Sequence, residues 1–322
     1  MLKNLFIISF IISISFSQLK NHRINSMEEL RSIVENASRA NQKVWLEDFT
    51  GINWTFCPNA SFAIDSLIQD FPGVLNTIEW HSPNYTPNEG EGSDLATVNI
   101  GCSDEAPEEG LVYYDRANLY GVGGIPHLQW NGIDEVVGAG SPWWDRYDDY
   151  YPMVVDYSNL QTPYEINITG AYISGEPNVT YEITVTQEGG SSSENMALEI
   201  VVAEDSIYSY WSVPDVYHYT RNVSRSFLTY HDDCKNILAL SNGESQTFSG
   251  EFEISDAWVG NNIKIITYIQ DLDTYEVYQS KVASVSRDLD PDVDGDGILN
   301  NDDNCPSIAN TDQDDWDQDD IG

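Results

Sequence analysis

The sequence predicts a multidomain chain: an α/β unit, an antiparallel β-sandwich, and then a short acidic tail with ion-ligand spacing. Three observations carry this. Residues 43 to 71, KVWLEDFTGINWTFCPNASFAIDSLIQDF, read as a buried strand, a tight loop and an amphipathic helix. After Tyr164 the apolar period changes from helical to two. Between Asp288 and Asp320 there are 13 acidic residues, and no Lys, Arg or Glu.

Taken in order, the chain opens with Lys3, an apolar run from Leu5 to Phe16, and small residues before Gln18. That is the pattern of a secretory signal peptide over residues 1–17, too short to span a bilayer. No cysteine follows the expected cleavage site, so a lipid anchor there is not expected, and no other stretch is apolar enough for a transmembrane helix. The expected product is exported. Lys and Arg total 14 against 53 Asp and Glu, a formal charge of −39. Such a chain repels nucleic acid and anionic membranes.

Ser26-Met27-Glu28-Glu29 is a capping box ahead of Leu30, Ile33, Val34 and Ala37 at helical spacing. Val44, Trp45 and Leu46 then form a buried strand, and Thr50-Gly51-Ile52-Asn53 a tight loop. Cys57-Pro58 starts a helix with Phe62, Ile64, Leu67, Ile68 and Phe71 on one face; Pro58 suits a first turn, where its missing N–H costs nothing. Val74 to Trp80 is a second buried strand. Residues 83–110 are polar, acidic and rich in Gly and Pro, and read as a surface excursion with little regular structure. A helix then ends near Gly123-Gly124, Ile125-Pro126 leads a strand through His127, Leu128 and Trp130, and Asn131-Gly132 is a hairpin turn back into Ile133–Val137. Ser141 to Tyr157 is a closing helix whose aromatic stripe reads as core packing.

The sandwich follows. Tyr164-Ile166-Ile168, Val179-Tyr181-Ile183-Val185, Leu198-Ile200-Val202, Phe248-Phe252-Ile254, Ile263-Ile265 and Tyr275-Val277 alternate with polar residues and are separated by Gly-, Ser- and Asn-rich turns. This describes an antiparallel sandwich of immunoglobulin-like type. The aromatic connection Tyr208 to Tyr219 is expected to pad its edge, the other reading being a partner surface.

Strand, loop, cysteine and Pro-started helix resemble a thioredoxin active site, in which a helix N-terminus activates a thiol. The redox version needs C-x-x-C, and here Trp54 stands at the first position. The stretches VWLEDFTGINWTFCPNA, IEWHSPNY and YGVGGIPHLQWNG, followed by a sandwich, resemble the thioredoxin-like family of exported bacterial proteins named for a twenty-eight-kilodalton outer-membrane protein. The resemblance covers most of residues 40 to 285 and implies a cis bond before Pro126, facing the active-site loop. It also implies that Cys57 holds the buried resolving position, without an attacking thiol. Thr55-Phe56-Cys57 is one residue short of the peroxiredoxin T-x-x-C pattern. The expected function is therefore non-catalytic binding or adhesion. The competing reading is a thiol-disulfide oxidoreductase or peroxidase-like enzyme that uses Cys57, with Pro126 beside it.

Cys57, Cys102, Cys234 and Cys305 allow three full pairings. Cys57 is read as a buried structural thiol or as a partner of Cys102. His81, His127, His218 and His231 lack zinc-ligand spacing.

The tail carries the sharpest motif, DVDGDGILNNDD. Asp292, Asp294 and Asp296 alternate, Gly297 permits the turn, Ile298 offers a carbonyl, Asn300 takes the water-mediated position, and Asp303 closes the loop in place of Glu. Such a loop gathers the roughly six to eight oxygens that Ca²⁺ requires. Without the ion the carboxylates repel, and too few apolar residues are present to fold the segment. The continuation, with Asp303-Asn304-Cys305-Pro306, Asn310, Asp312-Gln313 and a second ligand set at Asp315, Asp317 and Asp319, resembles the thrombospondin type 3 repeat. Asp320 departs from the Gly of that repeat, and the chain stops mid-motif at Gly322, so a continuation is expected. The expected boundaries are a signal peptide at 1–17, a thioredoxin-like domain at 18–160, an immunoglobulin-like sandwich at 161–286 and a calcium-binding repeat at 287–322. The expected partner is a protein, peptide or glycan at the cell surface, with the chain exported and outer-membrane associated, cell-surface or extracellular.

Overall fold

The computed structural model describes residues 40–86, 95, 99–100, 111–140, 142–173, 175–189, 195–211, 215–289, 297–300, 302–305 and 308–314. The expected signal peptide and capping-box helix lie outside these residues. The chain is mostly β-sheet with few helices.

Strand β1 (Ala40–Asn41) leads into β2 (Val44–Thr50), and every residue of β2 is buried. Helix α1 (Cys57–Asp70) carries Pro58 in its first turn and buries Ala60, Ala63, Ile64 and Leu67. The chain returns as β3 (Leu75–His81), parallel to β2 from Val44↔Leu75 to Thr50↔His81. The excursion contributes a short strand β4 (Asn99–Ile100) and a buried Leu95. Helix α2 (Leu111–Leu119) precedes β5 (His127–Trp130), which runs antiparallel to β2 and turns into β6 (Asp134–Val137). Asn131 and Gly132 both take positive φ at that turn, 44° and 77°. A Cβ on Gly132 would lie 1.8 Å from the Tyr275 carbonyl oxygen, so the turn docks on a distant loop only because the residue is glycine. Helix α3 (Trp143–Ser158) closes the half, and β7 (Gln161–Thr162) pairs with β1. Tyr150 and Tyr157 of its aromatic stripe are core, as expected, whereas Trp144 and Tyr151 are exposed.

The second half comprises β8 (Tyr164–Tyr172), β9 (Asn178–Gln187), β10 (Met196–Glu204), β11 (Ile207–Trp211), β12 (Val216–Thr220), β13 (Val223–Phe227), β14 (Asn236–Leu238), β15 (Ser245–Glu253), β16 (Ile263–Asp271) and β17 (Val277–Ser284), then a short helix α4 (Val285–Asp288). Strands β15, β9 and β8 form a three-stranded sheet. Its apolar face meets Leu198, Ile200, Val202, Ile263 and Ile265 across one core.

The other layer is continuous through both halves. Ten strands are linked, eight of them in the order β17-β16-β10-β13-β3-β2-β5-β6, with β14 on β10 and β4 on β13. The junction is narrow: β13 runs parallel to β3 at Val223↔Glu79. The sheet therefore crosses the boundary expected near residue 160. This explains why β10 is buried at every position instead of alternating. Leu198, Ile200 and Val202 face the first core, while Val201 and Ala203 join Trp45, Phe49, Ile78, Trp80 and α2 in a second. A third core packs α1 and α3 on β2 and β5. Tyr275 is not a strand residue; it sits in the turn before β17 with φ 65°. Among the described residues no helix is long and apolar enough to cross a membrane.

Candidate functional site: a covered thiol

The loop after β2 turns sharply at Gly51, where an added Cβ would lie 2.6 Å from Cβ of Tyr85. Glycine thus lets the 82–86 turn pack onto the loop, where the Asn53 amide donates to the Tyr85 carbonyl at 2.9 Å. Trp54 is 36 % exposed, its ring centroid 4.9 Å from that of Tyr85. The Ile125-Pro126 bond is cis, as the resemblance implies, and Ile125 packs against the cluster of Ile52, Cys57, Leu95, Trp211 and Val223. Cys57 and Pro126 are therefore brought to the same loop.

Cys57 is 0 % exposed and makes no disulfide. The proposed pairing with Cys102 is thus not present, and the structural-thiol alternative stands. Cys234 is disulfide-bonded to a partner outside the described residues. Burial pushes the Cys57 thiol up to about 12; the Thr50 hydroxyl pulls the other way, and the buried acids Asp48 and Glu79 push further. A helix N-terminus lowers a thiol pKa only where the thiolate can be solvated, and here it is not.

Sequence reasoning missed these two acids. Asp48 and Glu79 sit opposite each other in the β2–β3 register and both are buried. Neither oxygen of Asp48 has a hydrogen-bond partner among the described residues. Burial and the facing Glu79 hold its carboxyl well above the usual range. Glu79 is pushed to about 8 by burial, against the pull of the Arg221 amide and guanidinium. It meets His81 Nε2 at 2.9 Å. Their signal was an acid set between apolar residues in each buried strand, LEDF and IEW.

The cover over the thiol was also missed. The Tyr208–Tyr219 stretch does not pad a sandwich edge; β11 and β12 form a separate two-stranded hairpin. Its inward residues Ser209, Trp211, His218 and Thr220 are buried, and Trp211 packs in the Cys57 cluster. His218 lies 4.8 Å from the Phe62 ring and its Nε2 is 3.5 Å from an Asp65 carboxylate oxygen, both on α1. At its base Arg221 and Lys264 each meet Asp205 at 2.6 Å. The alternation of YSYWSVPDVYHY carried this signal, with Trp and His on one face and tyrosines on the other.

No family model matches the chain, and no curated protein matches its sequence. Solved structures do. The chain shares its fold with HBP35 of Porphyromonas gingivalis. The two are 15% identical, the match covers 77% of each chain, and the TM-score is 0.56. A protein from Agrobacterium tumefaciens matches at 17% identity over 78% of this chain and 97% of its own, with a TM-score of 0.42. A domain of the outer membrane lipoprotein Omp28 from P. gingivalis matches at 13% identity over 38% of this chain and 88% of its own, with a TM-score of 0.27.

Of the expected calcium ligands, Ile298, Asn300 and Asp303 are described, and Asp292, Asp294, Asp296, Asp315, Asp317 and Asp319 lie outside the described residues. Gly297 takes φ 93°, the sharp turn the loop spacing requires. Asp303 is buried: its Oδ1 accepts from the Cys305 amide at 2.8 Å and from Gln313 Nε2 at 2.9 Å. Its Oδ2 is buried with no hydrogen-bond partner among the described residues. An oriented carboxylate with one orphaned oxygen fits a hard cation. Among the described residues no cluster of three acidic, His or Cys side chains forms a metal site.

Proposed function

We propose that this chain is an exported, calcium-binding surface protein with a thioredoxin-like unit that is a non-catalytic binding platform. The burial of Cys57 carries the non-catalytic part of this reading. A redox thiol needs an exposed, stabilised thiolate; this one is buried in a cluster with Trp211, is pushed up to about 12, and has Trp54 where the attacking cysteine would stand. The three-stranded sheet and its facing strands are read as an immunoglobulin-like sandwich, and the tail as a thrombospondin type 3 repeat. Asp292, Asp294, Asp296, the Ile298 carbonyl, Asn300 through water, and Asp303 would hold the first Ca²⁺, with Asp315, Asp317 and Asp319 serving a second. The ion would supply folding free energy to the tail, since the carboxylates repel without it. The likeness to HBP35 supports the fold and leaves the partner open: a protein, a peptide or a glycan.

Insulin-reduction and peroxide-consumption assays test the platform reading. No turnover is expected; turnover that disappears in Cys57→Ser overturns it. Calcium titration should change Trp316 emission, with Trp316→Phe as the control for the other tryptophans. No change in emission and no effect of chelators on the tail would overturn the calcium reading.

A further inference from the structure

The β11–β12 hairpin has two unlike faces. Its inward side is fixed by packing on α1 and the thiol loop. Its outward side carries Tyr208, Tyr210, Tyr217 and Tyr219, of which Tyr208, Tyr217 and Tyr219 are 56%, 49% and 54% exposed. The register sets Tyr208 opposite Tyr219 and Tyr210 opposite Tyr217. The rings form one unbroken row: Tyr219 to Tyr208 at 4.9 Å, Tyr208 to Tyr217 at 5.0 Å and 16° between planes, and Tyr217 to Tyr210 at 5.2 Å. Folding does not require this, because Trp211 and His218 already anchor the hairpin from the other side. Four aromatic rings in a row facing solvent are an interaction surface, since tyrosine supplies large contact area at low entropic cost.

Charge decides what fits it. The row ends at a carboxylate: the Tyr210 hydroxyl donates to Asp215 at 2.6 Å. The chain as a whole carries −39. The cations at the base of the hairpin are already engaged, Arg221 and Lys264 both with Asp205. The π faces of phenol rings attract cations, a neighbouring carboxylate adds to that attraction, and the long-range field draws cations in and turns polyanions away. Guanidinium combines positive charge with a flat face that stacks on aromatic rings, which a compact ammonium does not do as well.

We propose that the outward tyrosine row of the β11–β12 hairpin is a docking surface for an arginine-bearing segment of a partner polypeptide, with guanidinium groups stacked on the rings and drawn to Asp215. This surface uses no residue of the proposed calcium sites or of the Trp54–Tyr85 pair, so binding here is tested without them.

The test titrates the full chain, in low and then moderate salt, with a peptide whose arginines are spaced by Gly-Ser pairs. Its lysine counterpart, its glutamate counterpart and cellohexaose serve as comparisons. The arginine peptide is expected to bind more tightly than the lysine one, and the other two not at all. Tyr208→Ser with Tyr217→Ser should weaken the arginine peptide by about ten-fold or more, while the matching Phe variants stay within about three-fold, because the ring and not the hydroxyl carries the contact. Asp215→Asn should weaken it by a smaller factor. Continued resistance of Cys57 to thiol reagents shows that the hairpin is still seated in each variant; if the double variant fails this check, Tyr219→Ser alone replaces it. Three results each overturn the proposal: no binding of the arginine peptide, equal binding in wild type and the Ser variants, or Tyr-dependent binding of cellohexaose or the acidic peptide instead.

Discussion

Arg116 grips Glu47 with both arms: Nε and Nη2 each lie 2.6 Å from one oxygen of the carboxylate. Neither group reaches solvent to any extent, and the pair is closed by other donors. Trp45 and Trp80 donate their indole N–H groups to Glu47, Tyr120 donates its hydroxyl, and the remaining arm of Arg116 reaches Gln270 on β16. The network therefore ties α2 to β2 and to the far half of the long sheet. Burial pushes the Glu47 carboxyl up, but the Arg116 charge and the hydrogen bonds outweigh it and hold it below its ordinary value.

Breaking one side of a buried, fully satisfied pair leaves an uncompensated charge. Arg116→Ala should cost about 3–5 kcal/mol of stability. The loss should be read by chemical denaturation, and a cost below about 1 kcal/mol would mean that the network contributes nothing beyond a surface pair. The joint replacement Arg116→Met with Glu47→Leu should recover much of the loss, because the cost lies in the orphaned charge and not in the missing attraction.

The acids under the hairpin give a pH dependence of the opposite sense. Asp65 is raised to about 7 by burial first, against the pull of Arg221, with Glu79 and Asp205 adding to the rise. Glu79 is raised to about 8 and Asp48 well above its ordinary value. His218, lowered to about 4 by burial and Arg221, and His81, lowered to about 3 by burial and Arg225, stay neutral through this range. Each carboxyl holds its proton more tightly folded than unfolded, so the protonated forms favour the fold at low pH. That contribution is lost as pH rises through about 7 and then about 8. Thermal midpoints should fall between about pH 5 and about pH 8 and level off above, and Glu79→Gln should flatten the fall. A midpoint that rises over the same interval would show that these carboxyls ionise without penalty.

Much of the α/β half was legible because its signals are local. The apolar run at Val44–Leu46, Pro58 in a first turn and Asn131-Gly132 each specify their own geometry, and β2, α1 and the β5–β6 hairpin appear where those signals put them. The junction was not legible, since Val223↔Glu79 joins residues far apart in sequence with no local mark on either. Period-two reading put Leu198, Ile200 and Val202 on one core face of β10 and missed the second core on its other face, because a strand between two cores loses its alternation of polarity. At the site, Cys57 and Pro126 were visible from motif spacing. Asp48 and Glu79 stayed hidden because nothing local marks them as facing each other across β2 and β3, and Trp211 was read as edge padding because nothing in its neighbours points to the distant Cys57 loop.

Trp211 shares one buried cluster with the Cys57 thiol. It is fully buried, its indole N–H donates to Ser209 Oγ at 3.0 Å, and its ring lies 5.7 Å from that of His218. Trp211→Ala removes the largest side chain of the cluster that buries Cys57, so labelling of Cys57 by a thiol reagent should accelerate by about ten-fold or more. A Cys305→Ser background removes the second thiol of the described residues. Wild-type Cys57 that labels as fast as an exposed thiol would contradict the burial.

Asp303 makes the calcium reading testable at one atom. Its Oδ1 is already taken by the Cys305 amide and the Gln313 side chain, which also receives the Asn304 amide at 2.8 Å, so the carboxylate is held in place before any ion arrives. Its buried Oδ2 has no partner among the described residues. Asp303→Asn keeps the shape and the Oδ1 acceptor but turns the remaining position into a neutral amide. If Oδ2 is a ligand, calcium affinity measured calorimetrically should fall by about ten-fold or more. Thermal stability of the rest of the chain should stay within about 0.5 kcal/mol, because Asp303, Asn304, Cys305, Asn310 and Gln313 bond to one another. Unchanged affinity would remove Asp303 from the ligand set, and lost stability without lost affinity would make it a purely structural turn residue.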